Sequence, residues 1–237
     1  MKYKSILLKL SGEVLAGEQG STSTISPRRL QHYVDEIQAA HRAGLQIAVV
    51  IGGGNIWRGD QAETLGVGIV DADHMGMLAT MINAIAIAAS LEKRGIPTAL
   101  MSRLPIHPIC EHYSKQKARH HLKKGRVVIV GGGTSNPSFT TDSAASLTAI
   151  ELGIDLLLKG TKVDFVYKKD PLKHVDAIPF KTLSLASAIE QKLGVMDLTA
   201  LTLCQAHQLP IIVYNATKPN QLLKTLKTRE TGTLIHP

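Results

Sequence analysis

The chain has 237 residues, a formal net charge of +8, 4% aromatic residues and two cysteines, Cys110 and Cys204. That length can bury an aliphatic core as one α/β domain, and two distant cysteines without ligand spacing exclude a disulfide framework or zinc site and suit a reducing cytoplasm. The positive charge suits small anionic substrates as well as nucleic acid, but no arginine-rich arm or basic and aromatic interleaving is present, so nucleic acid is not the expected partner.

Ser5 to Leu10 reads as a first strand, too short for a signal segment and interrupted by Lys9. It runs into Leu10, Ser11 and Gly12. A strand-end lysine beside a hydroxyl and a glycine can reach a cleft at the carboxyl edge of a sheet, or can snorkel from an edge strand. Gly17 to Thr24 is a glycine, serine and threonine loop. Ser26 and Pro27 form an N-cap and N1 pair for a helix that Gly44 ends.

Leu45 to Ile51 is a second apolar strand, delivering Gly52, Gly53, Gly54, Asn55 and Arg58. The arginine offers a planar fork suited to phosphate oxygens. Asp73 is expected at the N-cap of the apolar helix Met75 to Leu91, where capping alone would explain it, although a cleft-edge carboxylate also suits ribose hydroxyls. Thr80, Asn83 and Ser90 interrupt that helix, which fits a core or subunit interface better than a membrane span.

Pro97 to Met101 reads as a further strand, and the scattered histidines between His107 and His121 match no ligand pattern. Val127 to Leu147 repeats the earlier device: a buried strand, Gly131, Gly132 and Gly133, a hydroxyl-rich loop, then a helix whose cap region holds Asp142. Bare glycines and a helix N-terminus suit a phosphate, although an ordinary polar loop with a good cap has the same composition. Ile154 to Lys159 is another buried strand, followed by Thr161, Tyr167 and Asp170, pieces an adenine or ribose pocket would use and a plain turn would also contain. Helices over 185–193 and 195–207, a strand over 210–214, a short helix over 219–227 and an edge strand over 233–235 complete an alternation that predicts a mainly parallel sheet covered on both sides, with no linker dividing the chain.

Neither a P-loop nor a G-x-G-x-x-G turn is present. The ordered set Lys9 to Gly12 (KLSG), Gly52 to Arg58 (GGGNIWR), Asp73 to Met77 (DHMGM), Thr134 to Asp142 (TSNPSFTTD), Thr161 to Asp164 (TKVD) and Val195 to Asp197 (VMD) resembles the bacterial uridylate kinases of the amino-acid-kinase superfamily. The resemblance implies a three-layer α/β/α, carbamate kinase-like fold as a single domain, with an acceptor-binding lobe over about 1–152 and an ATP-binding lobe over about 153–237. It implies ATP-dependent phosphorylation of UMP to UDP, with Mg²⁺ carried by the ATP phosphates and no protein metal site, in a cytoplasmic homohexamer.

On the same resemblance, Lys9, Leu10, Ser11, Gly12, Gly54, Arg58, Thr161, Tyr167 and Asp170 fall on the ATP positions. Gly53, Asp73, Thr134, Ser135, Asn136, Pro137, Ser138, Phe139, Thr140 and Thr141 fall on the UMP positions. Lys9 and Asp142 are the catalytic pair, the aspartate orienting the lysine. Ser135 and Phe165 stand where the family carries glycine, and Ser138 where it carries an aromatic. The loop Gly17 to Thr24 lacks the glycine and aromatic pattern associated with GTP activation, so that regulation is not expected. The alternatives are a superfamily enzyme acting on a carboxylate or carbamate, and a catalytically silent nucleotide sensor or nucleic-acid-binding protein.

Overall fold

A computed structural model describes residues 2–17, 23–169, 174, 177–228 and 230–237. In chain order its strands are β1 (Ser5–Leu10), β2 (Gln46–Ile51), β3 (Thr98–Ser102), β4 (Glu111–His112), β5 (Val127–Gly131), β6 (Leu156–Thr161), β7 (Val166–Tyr167), β8 (Pro179–Phe180), β9 (Thr182–Ser184), β10 (Ile211–Asn215) and β11 (Thr233–His236). Its helices are α1 (Pro27–Arg42), α2 (Gln61–Thr64), α3 (Ile69–Glu92), α4 (Lys115–Lys123), α5 (Thr141–Leu152), α6 (Leu185–Glu190), α7 (Leu198–Ala206) and α8 (Gln221–Thr228).

Among the described residues, nine strands form one sheet in the order β4-β3-β5-β2-β1-β6-β10-β11-β9, and β7 and β8 form a separate hairpin. All neighbours in the large sheet are parallel except β10 and β11. The expected final edge strand is therefore interior: β11 lies between β10 and β9, because the short β9 pairs with its free side.

Strand β1 is buried along its whole length. Alternate residues of a strand face opposite ways, so Leu7 joins Ala48, Val128 and Leu157 on one face, with Ala144, Ala145 and Ala149 of α5 packed over them. Ile6 and Leu8 join Val49, Ile129 and Leu158 on the other, covered by α1, α3 and α8 through residues such as Ile37, Ile87 and Leu222. The result is an α/β architecture with helices on both faces of a mainly parallel sheet.

Helix α1 starts as its sequence predicts, with the Ser26 hydroxyl accepting from Arg29 N–H and Pro27 at N1, and the chain leaves it through Gly44 at φ 83°. Helix α3 starts earlier than predicted. Gly68 is its N-cap, which puts Asp73 inside the second turn and corrects its expected capping role. By length and composition α3 could cross a membrane, but half of its most apolar window is buried in this fold.

Candidate active site

The strand order reverses around β1: β2, β5, β3 and β4 lie on one side, and β6, β10, β11 and β9 on the other. A crevice at the carboxyl ends of the strands on either side of such a switch point is where open α/β sheets bind ligands. Lys9 is the penultimate residue of this central strand, in register with Val50 of β2 and Lys159 of β6. A central strand has no edge to snorkel from, which removes that account of Lys9.

Lys9 has the same parity as Leu7, and Lys159 the same as Leu157, so both side chains rise on the face that α5 covers. There the first turn of α5 supplies Asp142. Its Oδ1 lies 2.6 Å from Lys9 Nζ and its Oδ2 accepts a 2.7 Å hydrogen bond from Lys159 Nζ. Lys159 also donates to the Val195 carbonyl. Lys9, Lys159 and Asp142 are nearly enclosed, with side-chain exposures of 10%, 15% and 12%.

Burial works to raise the Asp142 pKa, but the two ammonium groups outweigh it and hold the carboxyl below its ordinary value of 3.8. Burial lowers the Lys159 pKa, Lys9 lowers it further, and Asp142 opposes both without cancelling them. Two cations against one anion leave a net positive centre at the strand ends, suited to charge spreading over a transferring phosphoryl group.

Sequence reasoning missed Lys159. The signal was available: β1 (SILLKL) and β6 (LLLKGT) each carry one lysine near the carboxyl end of an apolar run.

The two glycine turns are built by close approach. A Cβ on Gly12 would meet Gly52 O and Gly54 N at 2.7 Å each, and one on Gly53 would meet Ala79 Cβ at 2.7 Å and Thr80 N at 2.9 Å. The polar residues that interrupt α3 fasten both turns. Asn83 Nδ2 donates to the Gly52 carbonyl at 2.7 Å and exchanges amide hydrogen bonds with Asn55, while Gly132 N–H donates to Thr80 Oγ1 at 2.8 Å.

A cavity of about 730 Å³ opens on one side of the lysines, lined among others by Lys9, Ser11, Thr161, Phe165, Tyr167 and Lys169. A smaller one of about 240 Å³ opens on the other, lined by Gly53, Gly54, Trp57, Asp73, Phe139 and Thr141 among others. Thr141 precedes Asp142, so the ion cluster stands between the two.

Of the expected ATP residues, Lys9, Ser11, Thr161 and Tyr167 line the larger cavity. The Leu10 side chain is fully buried in the core. Gly12 and Gly54 pack against each other, and Gly54 lines the smaller cavity instead. Arg58 is exposed, donating to the Gly54 carbonyl at 3.1 Å and to Glu13 Oε1 at 2.8 Å. Asp170 lies outside the described residues.

Of the expected UMP residues, Gly53, Asp73, Phe139, Thr140 and Thr141 line the smaller cavity. Thr134, Ser135, Asn136, Pro137 and Ser138 do not line it but form the adjoining loop. That loop is pinned at Ser138, whose N–H donates to Asp73 Oδ2 at 2.7 Å, and it is closed by Thr134 and Asn136. Thr140 Oγ1 caps α5 and donates to Asp197, which also accepts from Ser143 Oγ at 3.0 Å and caps α7. This ties the central loop to the segment carrying Val195.

The departure from glycine at 135 has a backbone cost, whereas serine for an aromatic at 138 exchanges one non-glycine residue for another. Ser135 and Ser138 sit at φ 63° and 68°, the left-handed region that glycine enters freely. Phe165 is not among the residues of positive φ, so the phenylalanine there carries no such strain. Among the described residues no group of three His, Cys, Asp or Glu side chains could hold a metal ion.

A doubly wound sheet with an enclosed two-lysine, one-carboxylate centre between a larger and a smaller cavity defines an α/β phosphotransferase. The Amino acid kinase family matches residues 4–215. The chain is 45% identical over 235 residues to a uridylate kinase of Dichelobacter nodosus, covering 99% of this chain and 97% of that one. It is 47% identical over 233 residues to a uridylate kinase of Methylococcus capsulatus, covering 98% and 97%. The solved UMP kinase of Bacillus anthracis superposes with a TM-score of 0.94 at 35% identity, covering 100% of this chain and 97% of the other. The chain belongs to the amino acid kinase family, in its uridylate kinase branch.

Proposed function

We propose that this protein transfers the γ-phosphoryl group of ATP to UMP, giving ADP and UDP. The observation that carries the reading is the Lys9–Asp142–Lys159 cluster between two cavities of unequal size. The larger cavity suits a donor nucleotide and the smaller an acceptor phosphate with its sugar. The names of the full-length relatives support the choice of acceptor.

In this mechanism a UMP phosphate oxygen attacks the γ-phosphorus as the bond to the β–γ bridging oxygen breaks and ADP leaves. The acceptor phosphate is largely ionised near neutral pH, its second pKa being about 6, so no general base is needed. Lys9 and Lys159 bring fixed positive charge to the equatorial oxygens of the transferring group. Asp142 holds the two ammonium groups at a set separation and takes no proton. Mg²⁺ carried on the ATP phosphates would supply further charge neutralisation there.

The same reading assigns residues to about 152 to an acceptor lobe, later ones to a donor lobe, and the protein to the cytoplasm. The homohexamer that the resemblance implies needs apolar subunit contacts, and the α3 stripe of Met75, Leu78, Ile82 and Ile85 supports one such contact. These residues recur at helical spacing and are 38%, 52%, 50% and 38% exposed.

The test is a coupled ADP-release assay with Mg-ATP against a panel of nucleoside monophosphates and small carboxylic acids. Turnover selective for UMP is expected. Selective turnover of a carboxylate or carbamate overturns the acceptor assignment, and absence of any turnover overturns the enzyme reading.

A further inference from the structure

The donor cavity carries a feature that phosphoryl transfer itself does not use. Phe165 and Tyr167 stand side by side in its wall, with ring centroids 6.5 Å apart and planes inclined at 85°, and both are half-buried. The chain has only three phenylalanines and five tyrosines, so two rings at one cavity do not follow from an aromatic-rich composition. An edge-to-face pair leaves both faces of one ring uncovered by the other, and the cavity opens beside them.

The backbone that presents these rings is fastened on both sides. Thr161 Oγ1 donates to the Val163 carbonyl at 2.9 Å, and Asn215 Nδ2 donates to the Lys162 carbonyl at 3.2 Å and to Asp164 Oδ1 at 3.0 Å. Lys218 Nζ lies 2.7 Å from the same Asp164 oxygen. Between the rings, Val166 is buried in the core and donates its N–H to Thr233 Oγ1 at 2.9 Å. A side chain on so constrained a segment gives up little freedom when a flat ligand packs on it.

Lys9 and Lys159 bring charge for phosphate oxygens, while Phe165, Tyr167, Leu193 and Val213 add aromatic and aliphatic surface to the same cavity. Charge together with flat apolar surface matches a nucleoside triphosphate better than a bare phosphate chain. We infer that Phe165 is a specificity-determining residue for the donor, whose ring, together with Tyr167, takes the face of the nucleotide base. The inference rests on the reading of this cavity as the donor site. Stacking on an aromatic face needs no hydrogen-bond readout, so Phe165 sets how tightly a base is held and not which exocyclic groups it carries.

The experiment is isothermal titration of the full chain with Mg-ATP and, separately, with Mg-tripolyphosphate at fixed ionic strength, comparing wild type with Phe165→Ala, Phe165→Leu and Phe165→Tyr. Phe165→Ala should weaken Mg-ATP by about tenfold or more, as for loss of one base-stacking ring, and tripolyphosphate by less than about threefold. Phe165→Tyr keeps the ring and should stay within about threefold of wild type for both ligands. Phe165→Leu keeps apolar bulk without a π-face; it should lose about threefold or more on Mg-ATP alone, and it provides the comparison should the alanine variant unfold.

Equal losses on both ligands, a loss for Phe165→Tyr matching that for Phe165→Ala, or unchanged Mg-ATP affinity in Phe165→Ala overturns the inference. In coupled ADP release with UMP as acceptor, Phe165→Ala should raise KM for ATP by about the factor seen in the titration, with KM for UMP within about threefold of wild type. A wild type that binds Mg-ATP through Phe165 but turns over no UMP supports the base contact and overturns only the proposed function. Turnover of UMP with Mg-ATP affinity indifferent to Phe165 does the reverse.

Discussion

Lys159→Met isolates the charge of the second strand-end lysine while keeping an unbranched stem of similar length. The lost ammonium makes one ionic hydrogen bond, 2.7 Å to Asp142 Oδ2, and one to the Val195 carbonyl. If it faces the transferring phosphoryl group, its removal should cost about 10²–10³ in kcat, or roughly 2.7–4 kcal/mol, as for loss of one preorganised donor to transition-state charge. The fold should suffer less. The charged hydrogen bond contributes about 1.5–3 kcal/mol, but the variant no longer buries an ammonium whose pKa burial and Lys9 already depress.

A net loss below about 2 kcal/mol corresponds to less than about 8 °C in Tm for a chain of this size. The assay is coupled ADP release at saturating Mg-ATP and UMP, with thermal unfolding run in parallel. A kcat within about threefold of wild type, with the fold intact, would show that Lys159 does not serve phosphoryl transfer. A raised KM at unchanged kcat would move its role to ground-state binding.

Asp73→Ala should free the loop whose Ser138 N–H it holds at 2.7 Å, raising KM for UMP by roughly tenfold with little change in KM for ATP; equal effects on both substrates would refute a local role. Gly53→Ala should lower the urea-unfolding free energy by about 1–3 kcal/mol, because its Cβ would sit 2.7 Å from Ala79 Cβ and 2.9 Å from Thr80 N; unchanged stability would mean that α3 can give way. The Asp142 carboxyl is held below 3.8, so the stability it contributes is fully present above the unfolded-state value and is lost as pH falls through the lower folded value. An acid-unfolding series should therefore be shallower below about pH 4 for Asp142→Asn than for wild type, and parallel curves would refute the coupling. Lys159 has the same sign: its depressed folded pKa means that burying it charged costs stability, a cost relieved as pH rises through that value. Loss of its charge there should make kcat fall on the alkaline side before an ordinary lysine would titrate, and Lys159→Met should abolish that limb.

Much of this molecule follows from local sequence. Strands that are apolar on both faces, glycine turns after β2 and β5, and the Ser26–Pro27 and Gly44 signals around α1 are short-range features whose physics is complete within a few residues. They specify an α/β protein with ligand-binding turns. The boundaries of α3 were less legible, since Gly68 caps it without a side chain and Asp73, a better capping type, falls inside the helix and bonds across space to Ser138.

What the sequence alone determined is that a lysine would end the first buried strand and an aspartate would begin the helix after the second glycine turn. Only the tertiary structure decided that Lys159 completes the centre. Its place beside Lys9 depends on β6 pairing with β1 across a separation of about 150 residues, in a register that matches the two lysines and turns both toward α5. Strand pairing over such a distance is set by the burial of two whole sheet faces, a property of the assembled core that no local window contains.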